Sequence, residues 1–454
     1  LRLLSITMIV PAIISLLFGE FRQSMIFAII AVVGFLLGLT GRAAGKTDMD
    51  GKEALVVVAL SYLLYALMGA FAFLPHETFL NGFFESMSGI TTTGLTVFAP
   101  EKLSPGMLFF RSYSQWLGGA GIVIMSLVTL TGPSRNAFTL YTSEFGEEKL
   151  AGNVRETARF VITIYSVMTA IGYIVFVAAG YKWFDALLYI LSTVSTGGFA
   201  TSSQSIGHFE QRSIHIVVMI FMLLGAIGFP SYYLLKRRNL KKLLKELQLR
   251  YLAGLIIVAW IFMWGLMKLR ISDILPALFT TVTSITTTGF STMPESSWSG
   301  PMILISIILM LIGGSSGSTA GGLKIYRFIV IIKTIRWYLL RSLLPEESKI
   351  AIKMGSQAVD NDMIKQTFSY IGLYFILTAL SSLCLVLYGF TLTNSIFETV
   401  SAIGTVGLST GITSGSLSEF PKTVLIIDMW MGRLEILPIL IILNPIIWYP
   451  RRSE

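Results

Sequence analysis

Hydrophobic positions along this chain gather into long runs broken by short polar stretches. Runs at 3–19 and 24–40 flank the turn Glu20-Phe21-Arg22-Gln23 and predict a helical hairpin. Each arm is near the ~20 residues that a membrane-spanning helix needs. Beyond the polar, basic stretch Gly41–Lys52, a larger unit recurs four times. Each copy has a long apolar run, a short half-apolar segment, a polar loop and a second long run. The long runs lie at 54–74 and 107–131, 158–180 and 214–235, 250–268 and a stretch from 301, and 366–389 and 422–449. The short segments 77–90, 183–194, 272–285 and 394–403 are too brief to span. They suit half-helices that enter a membrane and turn back. Irregular backbone at membrane depth survives only if protein buries it or it lines a wet cavity, so four such segments imply a shared aqueous path. The pattern predicts an all-α polytopic membrane protein. An N-terminal hairpin (1–45) precedes helix–pore loop–helix repeats over 46–135, 136–240, 241–345 and 346–454.

Composition agrees. Of 454 residues, 54% are hydrophobic and 13% charged, against about 25% charged in soluble domains. Long apolar runs favour helices over a barrel of alternating strands. With the N-terminus inside and every short segment returning to the outside, Lys and Arg favour the inner loops by about three to one. That bias accounts for the net charge of +9 without nucleic acid as a partner. It also sets all four units the same way round, unlike the inverted repeats of many secondary transporters. The run 3–19 has no small-residue cleavage site after it and is expected to stay as a helix. The chain opens on Leu1, so further native residues are expected before it. Cys384 sits in an apolar run as a packed thiol, and His76, His208 and His215 are scattered without metal-ligand spacing.

After each short segment comes Thr, any residue, Gly, then Leu or Phe. The copies are Thr92-Thr93-Gly94-Leu95, Thr196-Gly197-Gly198-Phe199, Thr287-Thr288-Gly289-Phe290 and Thr405-Val406-Gly407-Leu408. A cation crossing a bilayer must exchange its water for other oxygens. Backbone carbonyls aimed at one axis supply them, and glycine permits the positive φ and close approach this requires. The threonine adds a hydroxyl at the inner end. The half-helices point their negative dipole ends at the same place. One such tetrapeptide is ordinary loop chemistry; four at matching places predict an ion-selective filter. The second copy differs in carrying Gly197 where the others have Thr or Val.

Two features depart from the repeat and predict an unwound loop under the filter with a buried positive charge beside it. The third unit's last run is interrupted by Gly313-Gly314-Ser315-Ser316-Gly317-Ser318-Thr319-Ala320-Gly321-Gly322. Such a run cannot hold a rigid helix, and a small-residue packing surface explains two spaced glycines but not five. Arg433 lies inside the last run, where an arginine costs about 2.5–3.5 kcal/mol at mid-membrane. It is expected to raise a barrier to cations and hold the glycine-rich loop, with Asp428 and Glu435 as partners. Lys324 is expected to snorkel to the cytoplasm. Glu85 and Glu398, inside short segments, are expected to brace them. Lys236 to Arg250 forms a basic stretch suited to anionic lipid or a cytosolic partner.

The whole chain resembles the Trk/Ktr/HKT superfamily of potassium transporters. Arg111-Ser-Tyr-Ser-Gln-Trp-Leu-Gly-Gly-Ala-Gly121 is similar to the family's R-x-x-x-Q-W-x-G-G-x-G segment, and Gly432-Arg433-Leu434-Glu435 to its G-R-L-E motif. The extra hairpin points to the TrkH/TrkG branch. The resemblance implies potassium as the transported ion, and glycine rather than serine at Gly94 implies preference for it over sodium. It also implies a gating intramembrane loop, a homodimer with one pore per subunit and a cytosolic nucleotide-binding ring of TrkA type. The expected setting is a prokaryotic inner membrane. No Gly-rich phosphate loop follows a strand here, so nucleotide control is expected on another chain and no organic cofactor on this one. The competing reading is an ion-coupled secondary transporter of another small solute or of sodium. A membrane enzyme is disfavoured by the lack of any His/Glu metal pair or Ser–His–Asp set at membrane depth.

Overall fold

The computed structural model describes residues 1–40, 51–75, 77–128, 154–345, 352–354 and 357–444. The repeat boundaries drawn near 45, 135 and 346, most of the basic loops at 41–53 and 132–160, and Arg451 and Arg452 lie outside the described residues. Five described helices are long and apolar enough to cross a bilayer, and six if one bent pair counts as a single span.

The N-terminal hairpin forms as Arg2–Thr7 and Ile9–Leu17 against Phe21–Thr40. Glu20 ties its turn to the first unit, accepting from Ser104 Oγ at 2.8 Å and from the Gly106 amide. The four short segments are helices Phe79–Ile90, Trp183–Val194, Ile274–Ile285 and Leu392–Ile403. Each has 12 residues, about 18 Å at 1.5 Å per residue, which is little more than half of a bilayer core. Their C-terminal halves are buried on all sides, as non-spanning backbone in a membrane must be.

The units pack in a closed cycle. The second long helix of each lies against the short helix of the next: Pro105–Val128 on Trp183–Val194, Arg212–Ala226 on Ile274–Ile285, Gly300–Ile312 on Leu392–Ile403, and Glu419–Arg433 on Phe79–Ile90. The fourth contact closes the circle.

Three of the four second helices are broken, where the sequence predicts one interruption. The run 214–235 is two helices, Arg212–Ala226 and Phe229–Lys236, bent by 95°. Pro230 starts the second piece, and a proline without N–H fits that first turn. The freed carbonyls of Gly225 and Ala226 accept instead from the amides of Thr319 and Ser315. The helix that opens the run 422–449 ends at Arg433; Glu435 and Ile436 turn the chain with φ of 58° and 62°, and Leu437–Leu443 follows with Pro438 in its first turn. The third interruption is the expected one, with irregular backbone between Gly300–Ile312 and Ile325–Ser342. The basic stretch from Lys236 is also divided. Arg238 takes a positive φ, and the stretch is shared among the end of Phe229–Lys236, the short helix Leu240–Lys245 and the start of Leu247–Leu266.

Candidate functional site

The four tetrapeptides meet. A methyl group built on Gly94 would collide with the carbonyl of Gly197, one on Gly198 with that of Thr288, one on Gly289 with that of Val406, and one on Gly407 with that of Thr93. Each glycine therefore lies against the carbonyl of the next unit, and the circuit returns to its start. The glycine φ values are 90°, 78°, 81° and 96° in chain order, a region that glycine enters freely and other residues rarely.

The local chain explains how each loop is aimed. Thr92, Thr196, Thr287 and Thr405 have φ of 52°, 52°, 53° and 49°. The amides after them bond back to Ser88, Ser192, Thr283 and Ser401, and their own amides to Gly89, Thr193, Ser284 and Ala402. This is the paired helix-ending pattern that normally places glycine in the left-handed position. Here a β-branched residue sits there four times, at a cost on the order of 1–3 kcal/mol each.

Two of these hydroxyls are buried without a partner, on Thr92 and Thr405. The other two meet the glycine-rich loop. Thr287 Oγ1 accepts from the Gly321 amide at 2.6 Å, and Thr196 Oγ1 lies 3.3 Å from Thr319 Oγ1. Thr319 also donates to the carbonyl of Gly225, and the Gly322 amide to that of Gly404. Gly313, Gly317 and Gly322 take positive φ. Gly314 accepts from the Ile325 amide, and Ser316 donates its amide to Gln248 Oε1 at 2.9 Å. The loop thus lies directly beneath the ring, in contact with the second, third and fourth units.

Arg433 is buried and donates to two backbone carbonyls, Thr319 O at 2.8 Å and Gly118 O at 2.9 Å. The expected carboxylate partners are engaged elsewhere. Asp428 accepts from Ser381 Oγ, and Glu435 pairs with Arg327 at 2.6 Å. Five residues along a helix point Asp428 to another face, and Glu435 lies past the helix end. Lys324 does not snorkel: it is buried, and Nζ donates back to the Ala320 carbonyl.

Glu85 and Glu398 act as matching braces. Glu85 accepts from Thr96 Oγ1 and the Val97 amide; Glu398 accepts from Ser409 Oγ and the Thr410 amide. Glu85 also pairs with Arg111 at 2.7 Å, whose guanidinium covers the Phe199 ring at 4.1 Å. On the face of the ring opposite the glycine-rich loop, the four ring glycines and Glu295 line a cavity of about 1090 Å³. Burial, reinforced by the Glu398 charge, raises the Glu295 carboxyl to about 7.

The sequence reading assigned no role to Gln115, Gln248 or Thr319. Gln115 lies inside the Arg111–Gly121 segment, with no local feature that sets it apart. Thr319 was the one β-branched residue in a run of small ones, which marked it weakly.

The arrangement offers oxygens only. Carbonyls and hydroxyls ring a path, and the described residues contain no His/Cys/Asp/Glu group that could hold a metal ion. Such a donor set, on a multi-pass helical scaffold, suits a weakly held hard cation in transit, and so defines a membrane cation transporter.

The TrkH cation transport protein model matches residues 20–448. The chain belongs to that family. The Trk system potassium uptake protein TrkH of Halomonas elongata is 31% identical, over 99% of this chain and 97% of its own. An uncharacterized cation transporter of Methanocaldococcus jannaschii is 30% identical over 97% and 93%. The crystal structure of the potassium transporter TrkH from Vibrio parahaemolyticus superposes with a TM-score of 0.88 at 26% identity, covering 99% of this chain and 97% of that one.

Proposed function

We propose that this chain takes up potassium across a prokaryotic inner membrane, with its N-terminus cytoplasmic. The ring Thr92–Gly94, Thr196–Gly198, Thr287–Gly289 and Thr405–Gly407 is the selectivity filter, and potassium is its substrate. The single observation carrying this reading is the closed circuit of glycine-to-carbonyl contacts among the four units. A dehydrated cation is held there by carbonyls whose number and field decide which ion is favoured. Four half-helix C-termini aim their negative dipole ends at the space just beneath. Relatives named for potassium uptake support the choice of ion.

The loop 313–322 and Arg433 form the gate. Gly321 and Gly322 sit against the inner ends of the third and fourth filter segments, and Arg433 holds the loop by Thr319 while placing a positive charge under the ring. Opening requires the loop to leave Thr287 and Thr196. A homodimer with a cytosolic nucleotide-binding ring of TrkA type completes the assembly, and the Trk system names of the relatives support a partner subunit. Exposed Leu240 and Leu244 in the basic stretch suit anionic lipid at the inner surface.

Rubidium and sodium flux into liposomes tests both parts. Gly407→Ser is expected to lower the preference for potassium and rubidium over sodium. Arg433→Ala is expected to raise basal flux. Unchanged selectivity in the first variant sinks the filter assignment, and unchanged flux in the second sinks the barrier.

A further inference from the structure

The second copy of the motif departs from the others at Gly197. Its backbone does not require glycine, because Gly197 is absent from the positive-φ residues. Space does. A methyl group at Gly197 would run into the side-chain amide of Gln115. Gln115 comes from the first unit's second helix and is fully buried. Its Oε1 accepts from the Phe199 amide at 3.1 Å, and its Nε2 donates to the Gly197 carbonyl. The amide orientation is settled by chemistry, since a backbone N–H can only donate and so must face the oxygen.

The carbonyls of Thr93, Thr288 and Val406 hold the matching positions. Among the described residues none of the three accepts a hydrogen bond. Only the Gly197 carbonyl is already shared. An oxygen that accepts from a buried amide offers a cation a weaker field than a free one, and field strength is one determinant of discrimination among alkali cations.

We propose that Gln115 is a specificity-determining positioning residue: its amide replaces the side chain missing at Gly197, fixes the second loop, and makes the Gly197 carbonyl the weakest of four cation ligands. This rests on the filter reading above. It predicts that the side chain can be moved from one side of the contact to the other.

The test is a double-mutant cycle with uptake and potassium-over-sodium selectivity as readouts, and thermal stability in detergent as the folding control. Gly197→Thr alone should cut rubidium uptake by about tenfold or more, the scale of losing both Gln115 bonds. Gln115→Ala alone should lower selectivity. The combined variant gives the second unit a threonine and a free carbonyl, so it should recover uptake to within a few-fold of the parent and exceed its selectivity. If the combination is as impaired as Gly197→Thr alone, the exchange of space is wrong. If Gln115→Ala keeps parental selectivity while Gly407→Ser shifts it, Gln115 only packs and the proposal fails. If Gly407→Ser also leaves selectivity unchanged, the filter reading itself has failed. Should Gln115→Ala not fold, Gln115→Glu retains the acceptor for Phe199 and removes the donor to Gly197; unchanged selectivity there overturns the proposal equally.

Discussion

The first and fourth units resemble each other more than either resembles the second or third. In both, a threonine (Thr78, Thr391) caps the half-helix by accepting from the amide three residues on. In both, a buried glutamate six residues into the helix clamps the outgoing loop. In both, a serine (Ser88, Ser401) accepts from the ring glycine's amide at 3.0 Å. The second and third units have no side-chain cap, and the matching hydroxyls, Ser192 and Thr283, are unpartnered. Tyr189 stands where the glutamate would be, 3.2 Å from Thr201. These two units are held instead from below, through Thr196 and Thr287 on the glycine-rich loop. One backbone ring is thus fixed on one side by its own segments and on the other by a movable element. On this reading, motion of the loop frees the second and third units, leaves the first in place, and removes from the fourth only the Gly322–Gly404 contact, since Glu398 and Thr391 still hold that unit.

The largest expected effect comes from the static side. Glu85→Ala strands a buried Arg111 and should cost ~3–5 kcal/mol of stability, whereas Tyr189→Phe in the second unit should cost only ~0.5–1.5 kcal/mol. Thermal unfolding of the purified variants measures both, and equal losses would erase the distinction. Next is the coupling to the loop. Thr287→Val removes the acceptor for Gly321, worth ~1 kcal/mol, and should raise basal rubidium flux about fivefold. Thr92→Val, which has no loop contact, should leave basal flux near the parent's. Thr391→Ala should then lose ~1 kcal/mol of stability through the cap, while Lys182→Ala at the equivalent place in the second unit should lose none. The smallest effect is at the mouth. Glu295 is neutral below about pH 7 and charged above it, so the apparent affinity for rubidium should be weaker at external pH 6 than at pH 8. Glu295→Gln should flatten that difference.

Much of this is legible in the sequence. The half-helices lie within a few residues of the segments marked by short apolar length, because a bilayer sets a minimum span and anything shorter must turn back. The ring glycines were marked by repetition. Glu85 and Glu398 were marked by being charged within apolar context. The partners of Arg433 and Lys324 were not legible. Both cations bond to backbone carbonyls, Thr319 and Ala320 of the glycine-rich loop and, for Arg433, also Gly118 of the unbroken first-unit helix, and side-chain charge in the sequence pointed instead to Asp428 and Glu435. Two of the three helix breaks were also missed, since Pro230 and Pro438 sit in runs whose hydrophobicity looks continuous.

The residues alone say that four short segments end in Thr-x-Gly, and loop charge predicts that they insert in the same direction. Local chemistry suffices for that: apolar length, helix-ending pattern and loop charge are all properties of neighbouring residues. Beyond the residue change at Gly197, the differences among the four copies arise from the folded arrangement. Whether a threonine hydroxyl is free or tied to the loop, and whether a carbonyl is open or shared with Gln115, depends on residues some 80 to 120 positions away. Contacts of that range exist only once the circle of units has closed.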